Sequence, residues 1–463
     1  MHEREHGGEG HQQAEASGAV MIVLDWSEWR RMSDWKPDHA SSAAAKIVGL
    51  TPAGGSSAKP FAEIHMQLSN GTIPVLYRIP VALLMLSVPV HRQSVSILES
   101  SEVEVDNAGL LQLPHQALVQ RHLSPKAKRA PFYRHATLFQ EIVIRCVKYA
   151  FAEIPPKVGR VFFAKEVVHP FLRYRMLRHG YLRSPFHYRE VRRDILNGIW
   201  IIANELEKPD IVIYYAHGGG FSMGTTYFYL EFLMTWVAVL RSRGYGNPAI
   251  FALEYTLVPD EVYPAQVQEA EAGYEFVNSM TEDPSRICVS GDSAGATIML
   301  SLLLSHGRRD RWEAERPGLA AFFSPWVTLV SPDSRDTESD YLNMDSLHLY
   351  ALQYASKQGS LDDPIVSPGT CKDGVWWRRS SPSGGFVCFY GSEEVFGPEI
   401  RRWSQQVSKA GCRCEVVKES DSIHVWPVVA LFICDTMAER LEGLTQMTER
   451  IIPAIPPARD RMR

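Results

Sequence analysis

A serine set between two glycines, Gly291-Asp292-Ser293-Ala294-Gly295, constrains the fold of this chain more than any other stretch. The apolar residues Ile287, Cys288 and Val289 lead into it as a short buried strand, and Ala294 to His306 leave it with helical composition. This is the setting expected of G-x-S-x-G, a sharp strand-to-helix turn that holds a nucleophilic serine clear of a sheet. Glycines are needed two residues before and after the serine because a β-carbon in so tight a turn meets its neighbours. Five residues match often by chance, so the motif gains weight only from a partner elsewhere in the chain.

That partner is His217-Gly218-Gly219-Gly220, about seventy residues upstream. It follows Ile211-Val212-Ile213-Tyr214-Tyr215, an apolar run rich in strand formers that reads as a central strand. Attack of a serine on an ester carbonyl creates an oxyanion. Preorganised backbone N–H groups aimed at that oxygen are worth roughly 3–4 kcal/mol for one donor. The expected donors are Gly219 and Gly220, with Gly218 as a further candidate, and Ala294 just after the serine.

The formal net charge of -5 and the lack of a basic-aromatic RNA motif argue against a nucleic-acid binder. Seven cysteines are widely spread, and no C-x-x-C pairs with another, which argues against a zinc site or a disulfide framework. Cys412-Arg413-Cys414 reads as a strand start. This usage suits a reducing, intracellular compartment. The first residues are polar, with His2, His6 and His11, and lack the apolar core of a signal peptide. The one membrane-like stretch, 73–90, contains Arg78 and three prolines. Its clean apolar part, Val81 to Val90, is about half of what a span needs, so a membrane span at 73–90 is the weaker reading.

Residues 1–115 read as an N-terminal extension, partly disordered, with a Ser/Ala/Gly-rich stretch at 41–59. From about 115 to 197 the chain is basic and helical in tone. Arg173, Arg175, Arg178 and Arg183 interleave with aromatic and aliphatic residues, as on a solvated helix face with core contacts, the alternative being an interfacial helix in peripheral membrane contact. From Asp210 strands alternate with helices. Strands are expected at Ile250–Glu254, Leu319–Phe323, Phe386–Tyr390 and Cys414–Val417. Helices are expected at Ala265–Met280, about 399–410, and Val428–Leu441. This predicts an α/β fold, a mostly parallel sheet with helices on both faces. The sixty or so residues between Phe323 and Phe386 fit no strand-helix unit and read as an inserted lid.

In such a fold the catalytic order is nucleophile, acid, base. The acid is expected just after the strand at 386–390, in Gly391-Ser392-Glu393-Glu394. Glu393 is the first choice and Glu394 the alternative. The base is expected after the last strand, and His424 is the only histidine beyond His348. Asp421 precedes His424 by three residues and is expected to point elsewhere. Asp292, inside the elbow, reads as structural.

Four segments together resemble the hormone-sensitive lipase family of α/β hydrolases. They are His217 to Phe221, Glu254 to Asp260 with Tyr263-Pro264-Ala265, Gly291 to Gly295, and Phe323-Ser324-Pro325-Trp326. Asp292 stands where type-B carboxylesterases carry Glu. The run Gly391 to Phe396, and Asp363-Pro364 with Ser367-Pro368-Gly369, look most like fungal members, some of which deacetylate sterol esters or act in secondary metabolism. The resemblance covers about 115–450. It implies an α/β-hydrolase catalytic domain at 116–450, with cap segments at about 116–200 and 324–385 and a tail at 451–463. It also implies a carboxylic-ester hydrolase with no cofactor or metal, acting on small to medium acyl or acetyl esters. Many members have Asp where Glu393 stands. Acyl transfer through the same acyl-serine, or a non-catalytic ligand-binding member of the fold, are the other readings.

Overall fold

The computed structural model describes residues 107–179, 187–309 and 312–458. The stretch at 73–90 and most of the expected N-terminal extension lie outside these residues. The first described helix, α1 (Asn107–Leu123), runs across the expected boundary at 115. Among the described residues no helix is long and apolar enough to cross a membrane.

Eight strands form one sheet in the order β1-β2-β4-β3-β5-β6-β7-β8. They are β1 (His187–Arg193), β2 (Leu196–Ile202), β3 (Ile211–Ala216), β4 (Pro248–Leu253), β5 (Ile287–Asp292), β6 (Leu319–Phe323), β7 (Phe386–Gly391) and β8 (Cys414–Glu419). β1 and β2 pair antiparallel with each other, and β2 pairs antiparallel with β4. From β4 to β8 every pairing is parallel. This is the α/β-hydrolase fold anticipated from the strand-helix alternation.

β3 shows why the central strands read as unbroken apolar runs. Val212, Tyr214 and Ala216 join one hydrophobic core, while Ile211, Ile213 and Tyr215 join a second on the opposite face. With helices over both faces, each strand residue is buried whichever way it points.

The helices before the sheet are α2 (Pro131–His135), α3 (Leu138–Glu153), α4 (Pro156–Phe163) and α5 (Lys165–His179). Thr137 starts α3 with a reciprocal capping box to Gln140. The helical reading from 115 to 197 is corrected at its end, because 187–202 is the β1–β2 hairpin. β1 is an edge strand whose His-Tyr-Arg-Glu-Val-Arg-Arg sequence exposes most of its polar side chains. Charge on an edge strand guards against further pairing, and it erases the hydrophobic alternation that marks a strand in sequence. The following helices are α6 (Leu230–Ser242), α7 (Ala265–Thr281), α8 (Ser293–His306) and α9 (Trp312–Glu315). The segment between β6 and β7 carries α10 (Met344–Ala355) and α11 (Gly374–Ser380). α12 (Gly397–Lys409) links β7 and β8. The single helix expected at Val428–Leu441 is two, α13 (Trp426–Ile433) and α14 (Met437–Ile451), the second capped by Thr436.

Candidate active site

The carboxyl end of the sheet gathers the loops that carry the motifs. β5 ends at Asp292 and α8 begins at Ser293, which holds φ at 48°. That left-handed conformation is costly for a residue with a side chain and persists only where its surroundings enforce it. The flanking glycines are the enforcement. A β-carbon on Gly295 would collide with the carbonyl oxygens of Ala216 and His217, and one on Gly291 would sit 2.7 Å from the Ala216 oxygen. The elbow is thus pressed against the end of β3, and any larger residue would push them apart. Ser293 itself is buried.

The His-Gly-Gly-Gly loop leaves β3 directly beside this turn. Gly219 has φ of 115° and Gly220 has φ of 60°. A β-carbon on Gly219 would strike the Met223 carbonyl, and one on Gly220 would lie 2.6 Å from the Tyr350 ring of α10. His217 is buried, its ring stacked on Tyr255 at 4.5 Å, with Nδ1 donating to the Gly218 carbonyl at 2.7 Å. Burial lowers its pKa, so it serves as a neutral, packed support for the loop.

The expected set of oxyanion donors needs one correction. The Gly218 N–H donates to Asp292 Oδ1 at 2.9 Å and is not available to a substrate. The N–H groups of Gly219, Gly220 and Ala294 donate to no acceptor among the described residues. Asp292 also accepts from Tyr215 at 2.6 Å and Tyr229 at 2.8 Å. Its carboxylate therefore ties the elbow to the glycine loop and to α6, a wider reach than the local backbone contacts expected of it. Burial pushes this carboxyl up to about 6, against the hydrogen bonds that hold it down.

His424 follows β8 and is buried against Phe396 and Tyr341, whose rings lie 5.1 Å and 5.7 Å from its own. The carboxylate brought to it is that of Glu394, with Oε2 3.9 Å from Nδ1. Glu394 Oε2 accepts from Ser324 at 2.6 Å and from the Gly391 N–H at 3.0 Å, and Ser324 in turn accepts from the Val425 N–H at 2.9 Å. His424 Nδ1 and Glu394 Oε1 are buried and have no hydrogen-bond partner among the described residues. Burial pulls His424 down to about 3 and pushes Glu394 well above the carboxylate range. Each neutral form is favoured until a charge develops on the other.

The first choice of acid, Glu393, is displaced by this geometry. Its side chain is half-buried and accepts from the Ser392 hydroxyl at 3.0 Å, while its backbone N–H donates to Ser422. Of the two adjacent glutamates, Glu394 is the one whose carboxylate faces the histidine. Asp421 points away, as expected, and pairs with His135 at 3.3 Å on the surface.

Sequence reasoning missed Ser324 as the link between acid and base loops, although Phe323-Ser324-Pro325-Trp326 had been noted, and it missed Asp340 altogether. Asp340 is a buried carboxylate between β6 and α10, bonded to backbone N–H groups of both loops. Nothing in its neighbourhood in the chain marks it. Among the described residues no cluster of three or more metal-ligating side chains occurs, and all seven cysteines are free thiols.

A family model described as the α/β-hydrolase fold matches residues 213–428. An acetyl-hydrolase of Streptomyces hygroscopicus is 26% identical over 219 residues, covering 46% of this chain and 67% of that one. A carboxylesterase of Mycobacterium tuberculosis, NlhH, is 39% identical over 93 residues, covering 19% of this chain but only 27% of the other. A solved homologue of hormone-sensitive lipase from a metagenome library, EstE7, superposes with a TM-score of 0.52 at 19% identity, covering 68% of this chain and 98% of that one. The solved structure of EstE5 gives a TM-score of 0.52 at 19% identity, covering 67% of this chain and 98% of that one. Sheet order, elbow and family model agree that the chain has the α/β-hydrolase fold.

Proposed function

We propose that this protein is a serine carboxylic-ester hydrolase acting through an acyl-serine intermediate. The observation that carries the proposal is the convergence of four parts on one end of the sheet. They are Ser293 on its strained elbow, the unengaged N–H groups of Gly219, Gly220 and Ala294, and His424 with Glu394 behind its Nδ1. The likeness to an acetyl-hydrolase and a carboxylesterase supports the same reaction class.

In this reading His424 takes the hydroxyl proton of Ser293 as its oxygen attacks the ester carbonyl. The carbonyl π electrons move onto oxygen, which Gly219, Gly220 and Ala294 hold by their N–H groups. The resulting imidazolium is stabilised by Glu394, which also keeps the proton of the neutral ring on Nδ1. The C–O bond to the leaving alcohol then breaks and His424 returns the proton to that alcohol. Water, deprotonated by the same histidine, attacks the acyl-serine, and the acid product and free Ser293 are restored. Burial keeps His424 neutral and able to take that proton, and Glu394 offsets the cost of charging so buried a ring. Gly218 and Asp292 act as supports, and Glu394 replaces Glu393 as the acid.

The acyl group is proposed to be small to medium, acetyl included. Tyr350 of α10 lies against Gly220 and Tyr354 stacks on Phe221 at 3.9 Å, so aromatic rings of the insertion crowd the glycine loop. On this reading α10 and the helices before the sheet form the cap, and the catalytic domain spans about 116–450. The test is a p-nitrophenyl ester series from acetate to laurate, with Ser293→Ala as control. Turnover of the short esters that vanishes in Ser293→Ala is expected. No turnover at any chain length by a folded protein would overturn the reading.

A further inference from the structure

We infer that Asp340 is a positioning residue, a buried clasp that holds the acid loop and the base loop in register. The inference rests on the assignment of Glu394 and His424 as the acid–base pair.

The two loops enter the site from different strands, Glu394 after β7 and His424 after β8. Beyond the strand ends the loops meet through the Glu393 N–H to the Ser422 carbonyl, the Asp421 N–H to the Ser392 hydroxyl, and Ser324, and none of these bonds reaches the backbone of His424 itself. Asp340 spans the two loops. Its Oδ2 accepts the Val395 N–H at 2.9 Å, one residue after Glu394, and its Oδ1 accepts the His424 N–H at 3.2 Å. Oδ1 also takes the N–H of Tyr341 at 2.9 Å, which fixes the carboxylate plane. Charge-assisted bonds of this kind are roughly twice as strong as neutral ones. Asp340 is fully buried, and no bond joins its carboxylate to the ring of His424, so it acts through the backbones of the pair.

The clasp is itself anchored. The Thr337 hydroxyl donates to the Glu393 carbonyl at 2.7 Å and accepts the Asp340 N–H at 2.9 Å. Lys148 of α3 donates to the Thr337 carbonyl at 2.7 Å. A carboxylate this buried is costly, and burial pushes Asp340 up to about 6. It also sits close enough to Glu394 to oppose the ionisation of that acid. An apolar residue would avoid both penalties, but it could not bind one N–H from each of the two loops together with that of Tyr341.

Asp340→Asn is the test, because the amide keeps the shape and sets an N–H₂ group against a backbone donor of one loop. Two readouts are taken, kcat and KM on p-nitrophenyl acetate, and amide exchange over 392–397 and 421–426. The expected result is a fall in kcat of about 10²-fold with KM within about threefold, since misplacement by about 1 Å costs that much. Exchange in the two segments is expected to rise by about tenfold or more. Wild-type kcat in a folded Asp340→Asn protein would overturn the clasp, as would a lower kcat without faster exchange in those segments. Should Asp340→Asn not fold, Thr337→Val carries the test at smaller amplitude, about fivefold in kcat at constant KM, and an unchanged kcat overturns it. If the wild-type protein turns over no ester, the hydrolase reading fails, and exchange in the two loops alone decides the clasp.

Discussion

Replacing Glu394 by Gln keeps the side chain's shape and removes the carboxyl group that can ionise as the imidazolium forms on His424. The Gln carbonyl can still accept from Ser324 and the Gly391 N–H, the two bonds that seat the present carboxylate, so the fold should survive. What is lost is the attraction between a carboxylate and the imidazolium formed on His424, 3.9 Å away. At about 4 Å and an effective dielectric of about 20, that attraction is about 4 kcal/mol. Divided by 1.36 kcal/mol per decade, this predicts a fall in kcat/KM of about 10³-fold. Glu393→Gln is the internal control. Its carboxylate touches Ser392 and not the histidine, so its rate should stay within about threefold of wild type. Both variants are assayed on p-nitrophenyl acetate, with thermal melts to show equal folding. A Glu394→Gln enzyme within tenfold of wild type, or a Glu393→Gln enzyme as crippled as expected for Glu394, would refute the assignment of the acid.

Other consequences follow from packing and burial. Gly295→Ala drives a methyl into the carbonyls of Ala216 and His217 and should cost about 2–3 kcal/mol in denaturant unfolding; a wild-type midpoint would contradict the elbow geometry. Asp292→Asn disturbs the acceptor shared by Tyr215, Tyr229 and Gly218 and should lower kcat about 10- to 100-fold through the glycine loop; an unchanged kcat would show that the loop needs no such tie. His306 is buried with neither ring nitrogen hydrogen-bonded, and burial lowers it from 6.5 to about 4. As pH falls through 6.5 the unfolded chain takes a proton that the folded one refuses until about pH 4. Stability present above pH 6.5 is therefore lost across that window, by about 2 kcal/mol between pH 7 and 5. His306→Phe, which keeps the ring packing on Trp312 and Tyr274, should flatten the stability curve by that amount, and superimposable curves for the two proteins would count against it.

The parts legible in sequence were those whose physics is local. The elbow and the glycine loop carry their constraint in the residues themselves, because only glycine fits where Gly219, Gly220 and Gly295 sit. The parallel strands β3 to β7 announced themselves as apolar runs buried on both faces. The edge strand β1 did not, because its exposed charges mask its alternation. Glu393 and Glu394 are one residue apart, and which one faces His424 depends on how the turn after β7 meets the turn after β8. No local pattern encodes that. Gly218 looked like its neighbours, yet its N–H is used by Asp292, a partner 74 residues away. Asp340 was hidden for the same reason, since its partners come from two loops far along the chain.

The central claim is that Ser293 accepts an acyl group with His424 as its base. It is tested most directly by intact-protein and peptide mass spectrometry after reaction with a fluorophosphonate. The account predicts one adduct per chain, on the peptide carrying Ser293, absent in Ser293→Ala and formed far more slowly in His424→Ala. No adduct on the folded wild-type protein, or an adduct on another residue that survives in Ser293→Ala, would contradict it.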